Sequence, residues 1–152
     1  VKRLLALGLL LAAALSAQSL TGPLTGTWIG TIPAQGRAFA RDIEIRLVQD
    51  GDQLTGKLYR EGPGSPIVEG SIVDGKVVLV IDTREQAGNQ INDMRYRFEG
   101  TLLDDGRIAM VREKISQRDA VSGAEIPVRR PQDDDEADRK RRFREFTMER
   151  LY

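Results

Sequence analysis

Gly70-Ser-Ile-Val-Asp-Gly-Lys-Val-Val-Leu-Val80 and Gly100-Thr-Leu-Leu-Asp-Asp-Gly-Arg-Ile-Ala-Met-Val111 are two copies of one pattern. Each sets Asp-Gly between runs in which apolar residues alternate with polar ones. A third Asp-Gly, Asp50-Gly51, stands between two similar runs. Asp and Gly tolerate the positive φ that a type I′ turn requires, so this dipeptide between alternating runs signals a hairpin. Three hairpins in succession predict an all-β, antiparallel meander.

Working outward, Leu24–Ile32 reads as a first strand and 37–48 as a second, with Phe39, Ile43, Ile45 and Leu47 on one face and Asp42, Glu44 and Arg46 on the other. Further strands are expected over 54–60, 67–73, 76–83, 93–103 and 107–116. The two prolines and two glycines of 61–66 read as a loop, because proline cannot donate to a central ladder. A second, polar loop is expected over 84–92. Residues 125–129, bounded by Pro127 and Pro131, form a candidate eighth strand. Seven or eight short strands joined by tight turns predict an up-and-down barrel, since closure removes exposed edges. An outer-membrane barrel is not expected, because its outward face must be apolar, and here Lys57, Glu69, Arg95, Arg97 and Glu99 occupy the non-core positions.

The chain opens as a secretory signal peptide: basic Lys2 and Arg3, an apolar run Leu4–Leu15, then small residues up to a cleavage point near Ser16 or Ala17. The apolar run is shorter than the ~18 residues a membrane span needs, and no Cys is present for lipid attachment. Val1 suggests a GUG start and hence a bacterial source. The expected organisation is a signal peptide over 1–17, a barrel domain over 18–130 and a charged tail over 131–152, with the product periplasmic or extracellular. In the tail, Asp133-Asp-Asp-Glu136 precedes Arg139-Lys-Arg-Arg142, then Phe143, Phe146 and Leu151. Acid before base is the order a helix dipole favours, so a C-terminal helix is expected. Whether it is solvated, docks a protein partner or closes a barrel mouth is left open; the barrel is expected to fold without it.

Composition removes most chemistry. Without His or Cys, Ser-His-Asp and Cys-His catalysis are excluded, and zinc or haem would lack its usual ligands. No phosphate loop or dinucleotide fingerprint occurs, and no cofactor or metal is expected. Removing the signal leaves 21 basic and 23 acidic residues, a balance that offers nucleic acid no basic footprint.

Leu24-Thr-Gly-Thr-Trp-Ile-Gly30 carries Gly-x-Trp at the opening of the first strand, and Asp50-Gly-Asp-Gln-Leu-Thr-Gly56 follows it. This pair resembles the entry motif and second hairpin of the lipocalin and avidin-like barrels, the calycin group. The nearest likeness is to small exported bacterial Trp-x-Gly β-meander proteins, a group without an assigned activity. The resemblance implies a ligand-holding barrel whose Trp, here Trp28, plugs one end beneath an Arg from a late strand, for which Arg112 has the right parity. Biotin binding is not implied, because such sites are lined by several Trp and this chain has one.

Four residues stand out as ligand-binding candidates. Trp28 is either a core plug or a stacking platform. Arg41 shares parity with Phe39 and Ile43 and is expected inward, where an unpaired Arg is costly; it must reach a mouth, pair with a carboxylate or meet an anionic ligand. Tyr96, on the Met94–Phe98 face, offers a hydroxyl, and Arg112 raises the same question as Arg41. The expected function is non-catalytic binding of a small apolar or amphipathic ligand. The alternatives are a protein-binding module using the loops or tail, and a carboxylate-based glycan hydrolase built on Asp42 with Glu44 or Glu85 with Asp93.

Overall fold

The computed structural model describes residues 23–34, 39–60, 62–128 and 144–152. Eight antiparallel strands, β1 (Gly26–Ile32), β2 (Arg41–Asp50), β3 (Gln53–Tyr59), β4 (Ser65–Val73), β5 (Lys76–Ala87), β6 (Gln90–Leu102), β7 (Ile108–Asp119) and β8 (Arg144–Arg150), follow one another around a closed barrel. β8 closes it by pairing with β7 on one side and β1 on the other. The architecture is compatible with a calycin-like barrel.

Period-2 alternation sets the face of each strand. On β2, Ile43, Ile45 and Leu47 are buried while Arg46 and Val48 are exposed. On β6 the inward row is Asn92, Met94, Tyr96 and Phe98. Trp28, Ile45, Leu79, Ile81, Phe98, Met110 and Met148 are almost wholly buried and belong to one core cluster. Burying each such side chain contributes about 1.5–3 kcal/mol. Phe98 and Phe146 meet edge to face, centroids 6.3 Å apart. Ion pairs lace the outer face, among them Arg95–Asp82, Arg84–Asp93 and Arg46–Glu44, where a lipid-facing wall would be apolar.

The three Asp-Gly sites all turn the chain, in different ways. Asp74 and Gly75 both have positive φ, 51° and 74°, as a type I′ turn demands. At the first site Asp50 ends β2 opposite Gln53, and Gly51, at φ 58°, opens the two-residue turn. At the third, Gly106 takes φ 83° in a longer connection in which Asp105 accepts from the Arg107 backbone and side chain.

Several expectations need correction. The expected loop 61–66 ends earlier, because β4 begins at Ser65 and includes Pro66. Proline is tolerated there because it sits at the strand start, beside a register shift against β3. The loop expected over 84–92 is the two-residue tip of a long hairpin: Ala87 pairs with Gln90, and Gly88 turns at φ 62°. Residues 125–128 are not a strand; Glu125 forms an isolated bridge to Arg118. Most consequentially, 144–150, assigned to the charged helix, is strand β8. Its inward row is Arg144, Phe146 and Met148, and the otherwise unpaired edges of β1 and β7 supply the hydrogen bonds that decide its conformation. Residues 131–143 of the expected helix and the expected signal peptide, 1–17, lie outside the described residues.

Candidate functional site

The two barrel ends differ. At one end the chain entering β1 is pinned by Leu24, whose N–H donates to Gln49 Oε1, and Trp28 Nε1 donates to the Leu24 carbonyl at 2.9 Å. Trp28 is 2% exposed. The glycines on either side of it admit β8: a Cβ at Gly30 would lie 2.9 Å from the Thr147 carbonyl and one at Gly26 3.1 Å from Arg150 Nε. Arg150 is the register partner of Trp28 and donates to the carbonyls of Pro23 and Thr25. The late-strand Arg at the tryptophan end is therefore Arg150, not Arg112. Gly-x-Trp-x-Gly is here a closure motif.

At the other end, where β2 begins and β3, β5 and β7 finish, polar side chains converge above the apolar core. Glu85, on the inner face of β5, is their hub, with its side chain 16% exposed. Its Oε1 accepts from Arg60 Nη1 at 2.8 Å, Tyr96 OH at 3.0 Å and Thr83 Oγ1 at 3.2 Å. Burial pushes the Glu85 carboxyl up, but Arg60, Tyr96 and Thr83 outweigh it and hold it below the usual carboxylate range. Burial, reinforced by the Glu85 charge, pushes the Tyr96 phenol up to about 12, so it stays protonated and donates. Oε2 has a looser neighbour, Arg41 Nη1, at 3.9 Å.

Arg41 has the inward register expected of it, but it stands at the rim: its side chain is 53% exposed. The strand end lifts its guanidinium into water and relieves the desolvation that a deeper position would impose. Arg112 stacks over the Tyr96 ring at 4.6 Å, a cation–π contact. Lys114, the next inward residue of β7, sits opposite Tyr96 and donates to Gln117 Oε1 at 3.2 Å. Desolvation, with repulsion from neighbouring arginines, lowers the pKa of both Arg112 and Lys114. Asn92, 2% exposed and directly across from Glu85, has a buried Oδ1 without a donor.

Of the candidate residues, Arg41, Tyr96 and Arg112 thus come together at one mouth, and Trp28 lies towards the opposite end. The two carboxylate pairs are placed differently, Glu85 and Asp93 on opposite faces of the wall and Asp42 and Glu44 together on the outer face of β2. Glu85 faces inward and Asp93 outward, where Arg84 holds it; Asp42 accepts from Thr31, and Glu44 pairs with Arg46. Sequence reasoning missed Glu85 as the hub, and it missed Lys114, Arg144 and Asn92. The parity of Arg112 already implicated Lys114. Arg144 was hidden by the helical reading of the tail.

No protein-family model, curated protein or solved structure matches this chain.

Proposed function

We propose that the chain is an exported, non-catalytic binding protein of the lipocalin or avidin-like kind that holds a small amphipathic ligand at the Glu85 end of the barrel. The observation that carries this reading is the convergence of Arg41, Arg60, Glu85, Tyr96 and Arg112, from β2, β5, β6, β7 and the end of β3, on the inner face above a continuous apolar core. An apolar wall with a few convergent polar groups is the usual chemistry of a small-molecule site. Export rests on Lys2, Arg3 and the apolar run that follows them.

Native mass spectrometry of the mature protein taken from its own envelope fraction tests the reading. A reproducible small-molecule adduct, released on unfolding, supports it; a bare chain counts against it. A second reading, a protein-binding module, draws on an open groove across the outside of β5–β8 lined by Val78, Thr101, Ala109, Val111 and Thr147. Co-purification with another protein, without a small-molecule adduct, favours that reading.

A further inference from the structure

Arg112 on β7 and Arg144 on β8 are direct cross-strand partners. Both occupy inward positions: Arg112 follows Ile108 and Met110, and Arg144 precedes Phe146 and Met148. Like charges placed directly opposite one another destabilise a sheet, and Lys114 adds a third cation two residues along the same inner row. A carboxylate between them would remove the conflict, but Glu85 is turned towards Arg60, Tyr96 and Thr83. Among the described residues, no carboxylate lies within ion-pair distance of Arg112, Lys114 or Arg144. Among the described residues their neutral contacts are few. Arg112 has the face of Tyr96, Lys114 has Gln117 and Arg144 has the Pro33 carbonyl at 3.4 Å. Glu85 is the counter-charge that Arg112 and Lys114 feel, and it is already engaged by Arg60; partly buried cations in excess of their carboxylates raise the free energy of the folded state, and an anion delivered to them lowers it.

We propose that the inner rim of β7 and β8 is an oxyanion site, in which Arg112, Lys114 and Arg144 receive the carboxylate or phosphate head of the ligand. A guanidinium fork can take two oxygens of either group, and an ammonium adds a point charge. The site is compact and set on the inner face, and the outer wall is a mixture of ion pairs. A single charged head fits this arrangement, and an extended polyanion does not. The inference rests on the proposed function for the rest of the ligand; the anion site itself stands on Arg112, Lys114 and Arg144.

The test is calorimetric titration of the full chain with octanoate, its neutral counterpart octanol and inorganic phosphate. Octanoate is expected to bind roughly tenfold or more tightly than octanol, and to weaken by a similar factor in Arg112→Gln or Arg144→Gln. Raising salt from about 20 to about 200 mM should weaken octanoate and leave octanol unchanged. Octanoate and octanol binding equally would overturn the oxyanion site while leaving the ligand reading standing. Phosphate binding that is lost in the two variants, without octanoate binding more tightly than phosphate, would keep the oxyanion site and remove the amphiphile. Absence of binding by all three probes overturns both. The melting temperature of each unliganded variant is a second readout: it should equal or exceed that of the parent, because repulsion is relieved. A marked fall would make the arginines structural and sink the proposal.

Discussion

Glu85 shows how one side chain sets the chemistry of the mouth. Its folded pKa is depressed, so its stabilising contribution is fully present above the unfolded carboxyl value of about 4.5 and is lost as pH falls through the lower, folded value. Glu85→Gln removes the charge while leaving Arg60 in place, and should lower stability at pH 7 by about 1–3 kcal/mol. At pH 3 the gap between parent and variant should narrow; urea midpoints at the two pH values measure it, and a gap independent of pH would refute the linkage. Lys114 gives the converse expectation for binding. Burial first, then Arg112 and Arg144, lower its pKa, and Glu85 alone opposes them. Octanoate affinity should therefore fall, as pH rises, at lower pH than an ordinary lysine would produce, and Lys114→Gln should flatten that profile. Gly56 is a backbone example: at φ 140°, its Cβ would stand 1.8 Å from the Arg46 carbonyl. Gly56→Ala is expected to destabilise by more than about 3 kcal/mol. Gly51→Ala, at φ 58° with open space around it, should fall nearer 1 kcal/mol, and thermal denaturation of the pair separates a clash from a conformational penalty.

Among the elements, β8 carries the largest difference from the sequence reading. Arg-Glu-Phe-Thr-Met-Glu-Arg has two apolar residues in alternation and several good helix formers, so local preference points away from a strand. Pairing with β1 and β7 overrides it, because seven strands would leave two edges and expose the core beside Phe98 and Met110. Phe146→Ala should cost about 3 kcal/mol or more, whereas Thr147→Ala, on the outer face, should change stability by less than about 0.5 kcal/mol. Equal small effects, seen by chemical denaturation, would return the segment to the status of a solvated tail. Removing 144–152 should abolish the cooperative melt, the opposite of what the sequence reading expected for deletion of the tail.

For the molecule as a whole, closure makes every strand dependent on both neighbours, and the β1–β8 pairing joins residues more than a hundred positions apart, Trp28 with Arg150. One continuous core and a closed ladder imply a single transition. The fluorescence of Trp28 and the far-ultraviolet signal of the strands should therefore change together on denaturation; separated midpoints would show that the barrel opens in stages. Folding should be slow for the chain's size, because non-local closure must precede its reward.

The three Asp-Gly hairpins, β2–β3, β4–β5 and β6–β7, the alternation of β2 and β6 and the charged outer wall were legible in the chain, because a turn dipeptide and a period of two are local properties that neighbouring residues report directly; the β5–β6 hairpin, whose tip has no such dipeptide, read as a loop. The lack of His and Cys likewise narrowed the chemistry without any coordinates. The strand that closes the barrel, the late-strand arginine that meets the tryptophan end, and the hub role of Glu85 were decided only in three dimensions. Each depends on which residues of distant strands fall opposite one another: Arg150 opposite Trp28, Arg144 opposite Arg112, Asn92 opposite Glu85. Register across a closed sheet is fixed by the packing of the whole interior, and no short stretch of sequence contains it.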